Sequence, residues 1–423
     1  MCLRNSIIDI MKKVKTVYLK ASTIAMMLFA GIIANAQNVQ PTIKDEAVKD
    51  VAQEVKKDNS MDWASKIKLY GDIRLRFDSE SAERNVSKKR VRDRERVRAR
   101  LNMDANLGDE WMGSIQLSTA PDDPTSGNQT LGQGFTGKSY GLERAYLRYT
   151  PEFAGKAVKL YGGKIAQPWI SVSDLIYDSS VNPEGVAVVG EYKINNITLF
   201  ANGGLFQIAD TLNDTVSNNK SNPVRLYSGQ AALKVEMSDD VSLLMGASLY
   251  FWDNLTGKNP RTGLWNQGEA CGINNGGADY DVNTYEEVEL FASLDMGVNV
   301  FNMNIPCSLF GQYVSNSKGE LDKDGYLVGT KVGKADKGKI EVVYDYRNLG
   351  RDAVISSYPE GSVWGGGTDG KGHRVQVKYG LTKSVQLGLT GFLAKADISD
   401  TQTADSANSG DYKRVQFDIA AKF

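Results

Sequence analysis

The final nine residues, Val415-Gln-Phe417-Asp-Ile419-Ala-Ala421-Lys-Phe423, put an apolar side chain at every odd position and a polar or small one at every even position, and end on an aromatic. Successive residues of a strand point to opposite faces, so this segment has one oily face and one wet face. Strands with water on one side and lipid or core on the other look like this. The rest of the chain must decide between those two environments.

The alternation recurs upstream. Ile67, Leu69, Gly71, Ile73, Leu75 and Phe77 share one face, with Lys68, Tyr70, Asp72, Arg74 and Arg76 on the other. Val97, Ala99, Leu101, Met103, Ala105 and Leu107 stand against Arg96, Arg98, Arg100, Asn102, Asp104 and Asn106. A third strand starts at Trp111 after the turn Gly108-Asp109-Glu110. Further strands are predicted near 143–150, 157–166, 186–193, 197–206, 226–236, 241–251, 285–296, 302–314, 326–332, 339–348, 373–380, 385–394 and 414–423, about sixteen in all. Short connections such as Asn195-Asn196, 237–240 and 381–384 alternate with long ones near 120–142, 167–185, 207–225, 252–284, 350–372 and 395–413.

The fold class expected is all-β: a transmembrane antiparallel β-barrel of about sixteen strands, preceded by a short N-terminal periplasmic segment. Short turns on one side and long loops on the other mark the periplasmic and outer ends. A soluble sandwich or propeller also alternates, but globular strands average about five or six residues, whereas these suit a tilted crossing of roughly nine to eleven. Charges crowd the face opposite the oily one, which a wet lumen tolerates and a packed core does not. Phe77, Trp111, Tyr149, Tyr227, Phe251, Tyr313, Tyr326, Tyr379 and Phe423 gather at strand ends on the oily face, as interfacial girdles do. The terminal aromatic strand also resembles the closing strand of bacterial outer-membrane barrels.

Residues 1–36 carry Lys12, Lys13, Lys15 and Lys20, an apolar run from Ala21 to Ile33, and Ala34-Asn35-Ala36, the pattern of a signal peptide cleaved before Gln37. Met11 is an alternative start. The apolar run is too short to span a bilayer of roughly 30 Å. Residues 37–65 read as a polar periplasmic segment, with a helix over 44–57 as one option and a solvated leader as the plainer one; residues 66–423 form the barrel. With 50 basic and 51 acidic residues there is no bulk electrostatic case for nucleic acid. Cys271 and Cys307 are predicted unbridged.

Parity assigns the wall charges. Arg74, Arg76, Arg96, Arg98, Arg100, Arg144 and Arg148 form a basic wall on the first, second and fourth strands. Glu287, Glu289 and Asp295 form an acidic wall on the tenth strand, nearly opposite the first in a sixteen-membered ring, and the thirteenth adds Glu341 and Asp345. Together they would set a transverse field across the lumen, with merely solvated charges as the alternative. The loop 167–185, with Asp174, Asp178 and Glu184, is the candidate for an inward-folded constriction, or else an ordinary external loop.

His373 is the only histidine, so metal or Ser-His chemistry would have to be built around it; no catalytic residue, metal site or cofactor is expected. Gly365-Gly-Gly367-Thr-Asp-Gly370 matches a dinucleotide-binding spacing but lacks βαβ context and reads as a flexible hairpin end. Asp322-Lys-Asp324-Gly325 reads as a tight turn.

From the first strand to about residue 190 the chain resembles the bacterial "putative porin" family. The resemblance rests on Gly71-Asp-Ile-Arg-Leu-Arg76, Arg96-Val-Arg-Ala-Arg-Leu101, Leu117-Ser-Thr-Ala120, Gly127-Asn-Gln-Thr-Leu131, Arg144-Ala-Tyr146, Gly162-Gly-Lys164, Asp174-Leu-Ile-Tyr-Asp178 and Asn182-Pro-Glu-Gly185. Ser118-Thr119-Ala120 departs from the Thr-Gly turn expected there. The resemblance implies passive diffusion of ions and small hydrophilic solutes through the outer membrane, with no catalytic residues. Outer-membrane lipid, those solutes and, as one option, a homotrimer are the expected partners. A general diffusion channel, an anion-preferring channel and a barrel-based surface interaction protein are the three functions left open.

Overall fold

The computed structural model describes residues 62–84, 88–120, 122–209, 223–253, 285–301, 303–319, 322–396 and 408–423. The predicted signal peptide, most of the polar segment 37–65, the loop 254–284 and Cys271 lie outside them. Cys307 is a free thiol.

Sixteen strands form the wall: β1 (Ile67–Arg84), β2 (Lys88–Gly108), β3 (Trp111–Thr119), β4 (Tyr140–Tyr149), β5 (Val158–Lys164), β6 (Glu184–Ile194), β7 (Ile197–Ala209), β8 (Val224–Ser238), β9 (Val241–Asp253), β10 (Tyr285–Val300), β11 (Met303–Asn316), β12 (Asp324–Gly333), β13 (Ile340–Leu349), β14 (Gly370–Gly380), β15 (Val385–Ala396) and β16 (Asn408–Lys422). Each is antiparallel to its chain neighbours, and β1 pairs with both β2 and β16, so the sheet closes into a barrel. Closure leaves no strand edge, as hydrocarbon demands of any spanning sheet.

At the seam, Phe423 pairs back onto β1. Gly71 N–H donates to the Phe423 carbonyl at 3.0 Å, and Phe423 N–H donates back to the Gly71 carbonyl at 3.1 Å. A Cβ built on Gly71 would lie 2.3 Å from the Arg100 carbonyl oxygen and 2.7 Å from the Phe423 ring, so only glycine lets the terminal aromatic lie over β1.

The oily face is as the alternation predicts: Leu69, Ile73, Leu75, Leu101, Leu107, Leu147 and Leu249 are exposed on the outside of the barrel. Aromatics gather at both rims. Trp111 and Tyr149 lie 4.7 Å apart at the short-turn end, Tyr227 and Phe251 6.1 Å apart at the long-loop end.

Two strands run further than the alternation suggests. β1 and β2 stay paired out to Arg84 and Lys88, beyond any membrane crossing, because the charged stretch 88–95 continues the ladder instead of looping. β3 has only nine residues, and where it stops Gln129–Thr130 takes over the pairing with Arg96 and Val97 of β2.

Candidate channel and its lining

The segment 165–183, between β5 and β6, touches strands on several sides of the ring. Trp169 packs on Phe206 of β7 and Tyr250 of β9, with ring centroids 5.9 and 5.6 Å away. Ile170 N–H donates to Gln230 of β8 at 2.7 Å, and the Ser173 hydroxyl donates to Gln312 of β11. Asp174 binds Arg347 of β13 at 2.7 Å and Arg374 of β14 at 2.6 Å. Only a loop lying inside a closed ring can reach all of these walls. This loop therefore folds inward.

A second segment, 350–369 between β13 and β14, joins it there. The sequence reading placed it as an ordinary long loop and its glycines as a flexible hairpin end; instead Val354, Ile355, Val363 and Trp364 are buried. Gly365, Gly366 and Gly367 all take positive φ, at 96°, 98° and 84°, a turn that L side chains resist and that brings bare backbone to the lumen. The two loops grip each other: Asp178 N–H donates to the Tyr358 carbonyl at 2.6 Å, and Tyr358 stacks on Trp252 of β9 at 5.8 Å. One side of the lumen is thus packed with apolar side chains, which the alternation alone does not foretell.

That packing decides what the predicted walls can present. Glu287 and Glu289 point inward as expected but are each 1 % exposed, beneath the loops. Trp252 donates to Glu287 at 3.2 Å, and Tyr250 donates to Glu289 at 3.0 Å. Asp345 is fully buried, accepting from Arg347 at 2.8 Å and Arg374 at 2.5 Å. Asp295 accepts from Ser308, and Glu341 pairs with Lys378 at 3.0 Å. The expected open acidic face is therefore corrected: loops or partner side chains occupy all five carboxylates. Glu184 is also corrected. It is the first residue of β6, is exposed, and pairs with Lys164 of β5.

Among the described residues, a cavity of about 560 Å³ lies against β1, β2 and β14–β16. Nine arginines line it (Arg74, Arg76, Arg90, Arg92, Arg94, Arg96, Arg98, Arg374 and Arg414) against four carboxylates (Glu80, Asp123, Asp178 and Glu360), so its lining is net basic. Further carboxylates anchor the arginines. Arg414 and Arg94 donate to Asp78 at 2.7 Å, Arg76 donates to Asp418 at 2.6 and 2.7 Å, and Arg98 and Arg100 donate to Asp72 at 2.6 and 2.7 Å. Arg100, Arg144 and Arg148 are not among the lining residues; Arg144 donates to Gln116 at 2.6 Å. Arg90, Arg92, Arg94, Arg374 and Arg414 escape the sequence reading. The even-numbered parity of β2 extends back to Arg90, and the alternation of the last strand already puts Arg414 on the wet face.

The loop carboxyls differ in charge. Burial pushes the Asp174 carboxyl up, but the Arg347 and Arg374 guanidiniums outweigh it and hold it well below the usual range. Burial, reinforced by Glu360, raises Asp178 well above that range, although the Ser180 N–H bond at 2.7 Å opposes the shift. A raised carboxyl stabilises the packed loop fully below its unfolded value of about 4 and loses that contribution as pH rises through its folded value. Asp174 has the opposite sign: its contribution is full above its unfolded value of about 4 and is lost as pH falls below it. Channel current should therefore be larger or noisier at alkaline than at mildly acid pH. Asp178→Asn should flatten that profile, and identical profiles for the two proteins would refute the assignment.

His373 faces outward. Its Nδ1 lies 2.9 Å from the Tyr344 hydroxyl and its ring 4.9 Å from Tyr346, so the one histidine belongs to the aromatic rim. Among the described residues no cluster of three or more metal-ligating side chains occurs.

A family model described as "Putative porin" matches residues 81–281 and 275–423. No curated protein matches the chain. Among solved structures, OprB of Pseudomonas putida is 10 % identical, with 88 % of this chain and 97 % of that one aligned at a TM-score of 0.55. The outer membrane channel DcaP of Acinetobacter baumannii is 13 % identical over 84 % and 97 % of the two chains, with a TM-score of 0.47. OmpF of Salmonella typhi is 11 % identical over 84 % and 97 %, with a TM-score of 0.46.

Proposed function

Since this chain belongs to the "putative porin" family, outer-membrane channels for small solutes, we propose that its narrowed lumen passes small anions in preference to cations. One observation carries this reading: the cavity against β1, β2 and β14–β16 is lined by nine arginines against four carboxylates, while the inward acids of β10 and β13 are covered or paired. A low-dielectric wall with one sign of charge concentrates the opposite ion and sets selectivity. The transverse field expected from two open walls gives way to a one-sided basic lining.

The test is the reversal potential of the reconstituted chain in a potassium chloride gradient. It should lie on the chloride side of zero. A potential near zero or on the potassium side would return the reading to a general or cation-preferring channel.

We infer two further features of the chain. Residues 1–36 supply an export signal, on the Ala34-Asn35-Ala36 pattern; a purified chain beginning anywhere but Gln37 would set that cleavage aside. A homotrimer is the assembly we favour, on a shallow apolar depression over β2–β5 floored by Ala105, Gly113, Ala145 and Gly162, where a second barrel can approach closely. A single-barrel mass in mild detergent would remove that assembly.

A further inference from the structure

The register of β1 on β2 sets arginine opposite arginine twice, Arg74 opposite Arg98 and Arg76 opposite Arg96. Like charges directly across an antiparallel pair are destabilising, so a sheet that keeps them needs an answer nearby. Two of the four have one: Arg76 holds both oxygens of Asp418, and Arg98 holds Asp72.

Arg74 and Arg96 have no close carboxylate of their own. Across β16, Arg74 meets Ala420, and its guanidinium donates to the Asn128 side-chain oxygen at 2.8 Å. Arg96 donates to the Asn128 backbone carbonyl at 3.1 Å, while the nearest carboxylate, Asp78, stands 3.9 Å off and already serves Arg414 and Arg94. The Nε of both arginines is buried with no acceptor. Asn128 is itself 8 % exposed and fixed in orientation, its amide nitrogen donating to Ser126 Oγ at 2.9 Å. A neutral amide thus stands where neighbouring arginines have a carboxylate, and both guanidiniums line the open cavity.

We propose that Arg74 and Arg96, spaced by Asn128, form a binding site inside the channel for a small doubly charged oxyanion, of the phosphate or dicarboxylate kind. Two guanidiniums held by an amide rather than by a close carboxylate match two charges on the solute, and the planar fork of arginine suits paired oxygens better than it suits chloride. The proposal rests on the anion-preferring reading and adds a discrete, saturable step to it.

The experiment uses the full reconstituted chain in potassium chloride at pH 8, with inorganic phosphate added in one arm and succinate in the other. Chloride current should fall with added oxyanion and saturate. Block by phosphate alone assigns a phosphate-type ligand, by succinate alone a dicarboxylate, and by both a general dianion site. Arg74→Gln with Arg96→Gln should raise the half-blocking concentration about tenfold or more, equivalent to about 1.4 kcal/mol. The paired lysine variants, which keep the charge and lose the fork, should fall between. Lys193→Gln, at the exposed short-turn rim, should block like the unaltered chain.

If the glutamine pair does not fold, the unaltered channel still decides the matter. Methyl phosphate, a dianion at this pH, should block at far lower concentration than the monoanion methanesulfonate. A conducting, anion-preferring channel without saturable block overturns the site alone. Equal block by those two probes, or lysine variants indistinguishable from wild type, overturns it as well. Loss of anion preference would instead overturn the reading beneath it.

Discussion

Replacing residues 350–369 with a short glycine-serine turn should raise the unitary conductance severalfold. The barrel wall does not depend on this loop, since β13 and β14 pair directly from Ile340 with Tyr379 to Leu349 with Gly370. The lumen does depend on it. Val354, Ile355, Val363 and Trp364 pack inside the ring, and the backbone around Gly365–Gly367 forms one side of the open cavity. A sixteen-stranded ring otherwise encloses an aqueous channel, so removing the second loop converts packed volume into water. The first loop should stay attached, because Asp174 keeps Arg347 and Arg374 and Ile170 keeps Gln230. Anion preference should weaken as the path widens past the arginines, where wider water screens them. Unaltered conductance in single-channel recordings would mean that the loop does not obstruct the path.

How much of this was legible in the chain varies with the range of the interaction. Period-two alternation placed all sixteen strands and the lipid-facing side chains, because facing is a local property of the backbone. It misjudged the start of β2, where Lys88–Arg94 is too charged to read as a strand yet still pairs with β1. Parity also sent Glu287 and Glu289 inward, and inward they are. Their burial was not legible, because it is created by Tyr250, Trp252 and two loops distant in sequence. The Gly365–Gly367 run is a similar case: locally it means flexibility, and only the packing of Trp364 and Ile355 beside it makes it part of a lumen wall. The family resemblance, by contrast, included Gly127-Asn-Gln-Thr-Leu131, which the structure explains as the piece that completes the wall above β3 and carries the one amide between Arg74 and Arg96.

Asp78→Ala should destabilise the barrel by about 3–5 kcal/mol, the usual cost of removing one partner from a buried ion pair. Asp78 is fully buried and accepts from Arg414 at 2.7 Å through both oxygens and from Arg94 at 2.7 Å, joining β1 to strands on either side of it. Without it, Arg414, 5 % exposed at its side chain, keeps only a 3.4 Å bond to the Tyr412 hydroxyl among these contacts, and Glu80 is left to serve Arg94. The seam where the barrel closes is where such a loss matters most, since β1 and β16 meet last in sequence and hold the ring shut. Asp78→Asn keeps an acceptor and loses the charge, so it should cost less than alanine but still leave a net excess of guanidinium. Urea unfolding in lipid vesicles, followed by tryptophan fluorescence, would order the three proteins. If alanine cost under about 1 kcal/mol, the range of an exposed pair, the arginines would be solvated by the channel itself and the carboxylate would not be their anchor.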